Sequence, residues 1–106
     1  MDINDIAEAI HNNAVRHGWW EEKRPFPEIV ALCHSELSEA LEAYRNNEPM
    51  VWMNGDKPDG MAVEMIDCMI RILDWLVSEG IDVEDTFYLK HGYNVRREYR
   101  HGGKKI

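Results

Sequence analysis

The sequence predicts an all-α fold, a bundle of four helices in a single domain covering residues 1–106. Three observations carry this expectation. Apolar residues recur at helical spacing in four separate segments. No segment shows the alternation of a half-buried strand, and no internal repeat is present. The strongest punctuation, Gly18, Pro49, Gly55, Pro58, Gly60 and Gly80, falls between those segments.

The first helix is expected from about Asn4 to His17. Ile3, Ile6, Ala7, Ile10, Ala14 and Val15 lie on one face, and Gly18 ends it. A linker, GWWEEKRPFP, follows with two prolines and two adjacent tryptophans. The second helix starts near Pro27 and runs to about Arg45, with the apolar stripe Ile29, Val30, Cys33, Leu37, Ala40, Leu41 and Tyr44. The connection NNEPMVWMNGDKPDG carries enough proline and glycine to exclude regular structure, and loops this long in small domains are often functional. Asp59 is the expected N-cap of a third helix that runs to about Glu79 and closes at Gly80. The fourth begins after IDVED and extends to about Tyr99, leaving a flexible tail over about 100–106. Cys33 and Cys68 sit in apolar helical patterns and read as reduced core residues; Trp75 reads as core too.

Composition bounds the function. An apolar fraction of 44% and a charged fraction of 30% describe an ordinary globular protein. No apolar run approaches the ~20 residues of a membrane span. The start, MDINDIAEAI, lacks the basic and apolar regions of a signal peptide, so a cytoplasmic location is expected. The net charge of −8 is unevenly placed. Residues 90–106 hold six Lys/Arg against one Glu, a net +5, whereas residues 1–89 hold six against nineteen acids, a net −13. An acidic body disfavours general nucleic-acid binding. A basic tail beside an acidic body is what a metal–polyphosphate substrate needs, although it also serves as simple neutralisation.

The chemistry concentrates in two carboxylate pairs. Glu36 and Glu39 stand three residues apart in HSELSEALEAYR, and Glu64 and Asp67 do so in AVEMIDCMIRILDWL. That spacing stacks two side chains on one helix face. Two such faces opposed would converge four carboxylates, a gathering of like charge that calls for a cation; all-oxygen donors suit Mg²⁺ or a similar hard ion. Between Met61 and Val77 the charged residues are Glu64, Asp67, Arg71 and Asp74. At ~100° per residue they occupy an arc of about 80°, so the third helix reads as buried on most sides with one charged stripe.

These residues resemble the MazG-like branch of the all-α nucleoside triphosphate pyrophosphatases. The family pattern is an ExxE step followed by an ExxD step, matched here by Glu36-Leu-Ser-Glu39 and Glu64-Met-Ile-Asp67. Many members carry a further Glu before the first step, where this chain has Ser35. SELSEALEAYR, KPDGMAVEMIDCMIRILD and KHGYNVRREYRHGGKK are similar to family sequence, and the resemblance spans roughly residues 10–105. It implies an oligomeric four-helix bundle, a homodimer or homotetramer with sites built from more than one chain. It implies hydrolysis of a (deoxy)nucleoside triphosphate to monophosphate and pyrophosphate, with nucleotide-pool house-cleaning as the setting. It also implies Mg²⁺, with Mn²⁺ as a substitute, bound by Glu36, Glu39, Glu64 and Asp67; Glu39 is the favoured base for the water.

Lys90, Asn94 and Arg97 follow at i, i+4, i+7, one helix face, and the resemblance puts them near the triphosphate. Lys104 and Lys105, beyond Gly102 and Gly103, could close over the phosphates. Trp19, Trp20 and Trp52 offer ring faces to a base, and Asn13 could bond base or sugar. Asp74 is expected to orient Arg71 or a basic residue of the fourth helix, with a substrate role as the other reading, and the five histidines show no metal-ligand spacing. Other readings are a non-catalytic oligomerisation or regulatory module, a dUTP- or phosphoribosyl-ATP-specific enzyme of the same superfamily, and a ferritin-like di-iron protein, which the ExxE and ExxD steps disfavour because that fold uses ExxH.

Overall fold

The first helix begins where Asp2 and Asp5 form a reciprocal capping box, each carboxylate accepting from the other's backbone N–H. The structure, a computed structural model, describes residues 1–97. In chain order its elements are α1 (Ile3–Arg16), α2 (Phe26–Arg45), β1 (Trp52–Asn54), β2 (Lys57–Asp59), α3 (Met61–Ser78) and α4 (Val83–Arg96). Helices dominate, as expected. The basic tail residues Lys104 and Lys105, the flexible tail over about 100–106, and the expected end of the fourth helix at Tyr99 lie outside the described residues.

α3 is the axis of the fold and packs on α2, α1 and α4; α4 touches α1 and α3 but, among the described residues, not α2. Ala7, Leu73 and Val83 form a buried cluster joined by Ile3, Ile10, Leu76 and Val77. Toward α2, the buried apolar positions are Ile29, Ala40, Ala43 and Cys68. Small residues on α2 let two backbones approach, which brings the side chains of their facing stripes within reach. Asn4 fixes α1 to α4: its amide donates to Asp82 Oδ1 at 3.1 Å and its carbonyl accepts the Glu84 N–H at 3.0 Å. Asp82 also caps α4 by accepting from Asp85 N, and these bonds hold its carboxyl below the ordinary value.

The connection after α2 differs from expectation. β1 and β2 form an antiparallel hairpin, pairing Trp52 with Asp59, Met53 with Pro58 and Asn54 with Lys57. Gly55, at φ +65°, supplies the left-handed residue of the tight turn, and Pro58 is tolerated because a two-stranded ribbon has an open edge on either side. Asp59 is therefore the last strand residue and does not cap α3; its carboxylate takes Lys57 Nζ at 3.2 Å and Asn54 Nδ2 at 3.2 Å. Gly60 is the N-cap instead. The Met50 carbonyl accepts from Ala62 N at 3.0 Å, so backbone does the work a capping side chain would do.

The outward face of α3 is apolar. Met65, Met69 and Ile72, at i, i+4, i+7, are 48%, 49% and 43% exposed, and Ile66 beside them is 50% exposed. Leu37, Leu41 and Tyr44 on α2 are exposed as well. The charged stripe of α3 points the other way, into the helix packing, where Asp74 is only 6% exposed. The radius of gyration is 16.3 Å, against about 13 Å for a compact chain of this length. No helix among the described residues is long and apolar enough to cross a membrane.

Candidate metal centre

α2 and α3 carry one carboxylate step each, and their packing opposes the two. Glu36, Glu64 and Asp67 each present an oxygen such that the three atoms lie within 4.8 Å of one another. Glu36 is buried, at 7% exposed; Glu64 and Asp67 are half-buried. Glu39, one turn on from Glu36, is exposed and outside this triad, but it contacts Glu64 directly. All four expected carboxylates therefore gather, three as a tight set and one at its rim.

The electrostatics record the crowding. Glu64 is pushed up to about 7, first by burial, then by its hydrogen bond with Glu39 and by the charges of Glu39, Asp67 and Glu36. When protonated, Glu64 donates to Glu39. Asp67 is also raised, by burial and by Glu36, against the opposing pull of Glu64's hydrogen bond, Arg71 and Lys57. Three oxygens at this separation with acceptor-only chemistry could hold a hard divalent ion, whose charge would relieve the repulsion that raises Glu64.

Two cations border the triad. Arg71, one turn beyond Asp67 on α3, donates from Nε to Glu36 Oε1 at 2.8 Å. Lys57 on β2 is held by Asp59, and its raised pKa includes smaller contributions from Glu64 and Glu39. Lys57 was not singled out by the sequence, because only the hairpin brings it to the acidic cluster.

A cavity of about 380 Å³ opens beside Glu36 and Asp67, walled by His17, Trp19, Ile29, Leu32, Arg71 and Asp74. Arg24 lies 3.5 Å from the centroid of the Trp19 ring and donates from Nε to the Trp19 carbonyl at 3.0 Å. Trp19 also borders a second hollow, which Arg24 lines as well, whereas Arg24 does not line the first. Arg71, which does line the first, lies 5.3 Å from the same ring centroid.

The other expected residues are distributed as follows. Asp74 partners neither Arg71 nor α4: its Oδ1 accepts Trp20 Nε1–H at 2.8 Å and lies 2.8 Å from His11 Nδ1. Trp20 is thereby pinned by its polar edge and lines a separate hollow with His11 and Lys23. Asn13 is exposed, and its carbonyl lies 2.7 Å from His17 Nδ1; Ala14 and His17 reach the cavity in its place. Trp52 is half-buried in the hairpin, with Nε1 bonded to Glu48 at 2.8 Å. Lys90 and Arg97 lie 4.9 and 5.8 Å from the centroid of the Tyr93 ring; Lys90 and the exposed Asn94 are on α4, whereas Arg97 follows its last residue in extended backbone, so the expected single helix face does not reach Arg97. Within one chain none of these three lines the cavity. Trp75 is half-buried against Phe26, with ring centroids 4.8 Å apart. Cys33 and Cys68 are free thiols; burial first, and then Cys68, pushes Cys33 up, so Cys33 is not activated. No family model matches this chain, and no curated protein or solved structure does.

Proposed function

We propose that the chain is a Mg²⁺-dependent nucleoside triphosphate pyrophosphohydrolase of the MazG-like type, acting in the nucleotide pool. The observation that carries this reading is the convergence of Glu36, Glu64 and Asp67 from two helices, with Glu36 and Asp67 lining a cavity of about 380 Å³. A phosphate chain at the carboxylates and a nucleoside in the cavity would make one continuous ligand. Mg²⁺ held by Glu36, Glu64 and Asp67, with Mn²⁺ as a substitute, would offset charge on the phosphate oxygens and lower the pKa of a bound water.

The remaining roles belong to the chain itself. Glu39, at the rim and outside the triad, is the carboxylate left to take a proton from water attacking the α-phosphorus. Arg71 orients Glu36 through its Nε bond. Pyrophosphate and the nucleoside monophosphate are the products. Lys90 and Asn94 sit on α4, and Arg97 follows it directly; among the described residues α4 does not touch α2. In a homodimer or homotetramer they would approach the phosphates of a neighbouring subunit's site. The exposed apolar face of α3 supports such an assembly.

The test is a product assay over a panel of (d)NTPs, dUTP and oxidised nucleotides included, with Mg²⁺ and with EDTA. Monophosphate and pyrophosphate, abolished by EDTA, are expected. A folded oligomer that turns over no nucleotide, with Mn²⁺ added as well, overturns the reading in favour of phosphoribosyl-ATP as substrate or of a non-catalytic module.

A further inference from the structure

Asp74 is one of the two buried acids among the described residues, and both of its described hydrogen bonds end on one oxygen. Oδ1 receives the indole N–H of Trp20 and the Nδ1 of His11, each at 2.8 Å. A carboxylate only accepts, so His11 carries its proton on Nδ1. Oδ2 takes no hydrogen bond among the described residues, and Asp74 lines the cavity that opens on the carboxylate triad. The two donors come from α1 and from the linker, so the carboxylate plane is fixed from two directions. Seven residues of helix separate Asp74 from Asp67, about 10.5 Å of rise. That is on the order of the length of a nucleoside monophosphate from phosphorus to the far edge of its base. Trp19 walls the same cavity, with the Arg24 guanidinium 3.5 Å and the cavity-lining Arg71 guanidinium 5.3 Å from its ring centroid.

From this geometry we infer that Asp74 reads the nucleobase, and that the cavity takes bases with an exocyclic amine beside a ring-nitrogen acceptor, namely cytosine and adenine. The inference rests on the nucleotide reading above and deepens it. One available acceptor oxygen matches one amine N–H. Uracil, thymine and hypoxanthine present a carbonyl oxygen at the corresponding position, which would face Oδ2 lone pair to lone pair. Guanine's paired donors would need both carboxylate oxygens, and Oδ1 is already taken. Trp19 supplies a stacking surface without base preference.

The fixed plane also makes a reversal testable. In Asp74→Asn the indole and imidazole donors hold the amide oxygen at the Oδ1 position, and the amide NH₂ replaces Oδ2 at the cavity. The variant exchanges an acceptor for a donor in the same place. Binding of CMP, UMP, AMP and IMP to the full chain is measured by calorimetry in EDTA, which removes catalysis and metal from the readout. The wild type is expected to prefer CMP to UMP and AMP to IMP by about tenfold or more, and Asp74→Asn to invert both orders. Trp19→Ala should weaken all four alike and leave the order unchanged. Equal affinities in the wild type overturn the inference whether or not the variant folds, as does a folded Asp74→Asn with the wild-type order. Absence of monophosphate binding overturns it too. Pyrophosphate release from triphosphates without base discrimination sinks this inference alone; base-ranked binding without any turnover sinks the hydrolase reading alone.

Discussion

Arg71 on α3 donates from Nε to Oε1 of Glu36 on α2 at 2.8 Å, a charged bond that ties the two carboxylate-bearing helices together at the triad. Glu36 is buried, and Arg71 is the charged donor that meets its carboxylate. Arg71→Ala should destabilise the metal-free protein by about 2 kcal/mol, since a buried carboxylate loses a charged donor. Saturating Mg²⁺ should recover part of the loss by supplying another cation. Chemical denaturation with and without Mg²⁺ measures both, and an equal loss in the two conditions argues against the shared role of Glu36.

Glu64→Gln separates structure from function at the same centre. The substitution removes a carboxylate that burial and its neighbours disfavour. The metal-free variant should therefore be at least as stable as the wild type near pH 8, with an unchanged helical spectrum. Pyrophosphate release should fall on the order of a hundredfold, and Mg²⁺ should no longer raise the melting temperature. An undiminished rate in a natively folded variant would remove Glu64 from the site.

The pH dependence follows from the direction of the carboxyl shifts. Glu64 lies at about 7 in the folded chain against an ordinary 4.5, and Asp67 is raised as well. A raised acid binds its proton more tightly folded than unfolded, so its contribution is full below the unfolded value and is lost as pH climbs through the folded one. In EDTA, stability should decline between about pH 5 and pH 8. Asp82 is lowered and acts oppositely, but its window lies in acid, outside this range. Mg²⁺ competes with the same protons, so its affinity should rise over the interval where metal-free stability falls. Titrations at about pH 5.5 and 8 check this; Mg²⁺ affinity independent of pH would exclude Glu64 as a ligand.

Association is the prediction drawn from the outer face of α3. Met65, Ile66, Met69 and Ile72 stay about half exposed while an aspartate on the same helix is buried. Met69→Glu places a charge at the middle of that face and should weaken self-association at least tenfold, as an unpaired charge in an apolar contact would. Sedimentation velocity against concentration measures it. An assembly unaffected by Met69→Glu would shift the contact to the exposed residues of α2 or α4.

The four helices were legible because each writes a 3.6-residue period bounded by Gly, Pro or an Asp cap, as Asp82 and Gly80 show. The carboxylates of the site were legible for the same reason: i,i+3 spacing puts a pair on one face before any partner is known. What escaped was whatever depends on two segments meeting. Asp74 was expected to pair with Arg71 on its own helix, yet the linker and α1 offered Trp20 and His11, while Glu36 claimed Arg71. His17 and Lys57 border the site through tertiary packing and carry no local pattern. The hairpin was hidden by Pro58 and Gly55, which exclude a buried strand but not a short exposed ribbon. The third helix also read as buried on most sides, whereas Met65, Ile66, Met69 and Ile72 stay about half exposed in one chain.

Gly60 links that hairpin to the metal centre. It sits buried at φ +120°, and a Cβ there would lie 2.4 Å from the Met50 carbonyl oxygen and 2.6 Å from that of Pro49. Those are backbone atoms, so no side chain can swing aside, and the φ itself is hostile to any residue but glycine. Gly60→Ala should cost about 2 kcal/mol or more through backbone strain and the displaced loop. The Gly60 carbonyl accepts from Glu64 N at 3.0 Å, and the Met50 carbonyl accepts from Ala62 N, so the same shift moves the first turn of α3. Glu64 rides on that turn. Mg²⁺ affinity should therefore fall with stability in Gly60→Ala, whereas in Leu73→Ala, a core truncation of about 2–4 kcal/mol two turns away from the triad, stability should fall with affinity nearly intact. Calorimetric Mg²⁺ titration of both folded variants decides the matter: parallel losses in the two would mean that the hairpin positions nothing beyond its own contribution to stability.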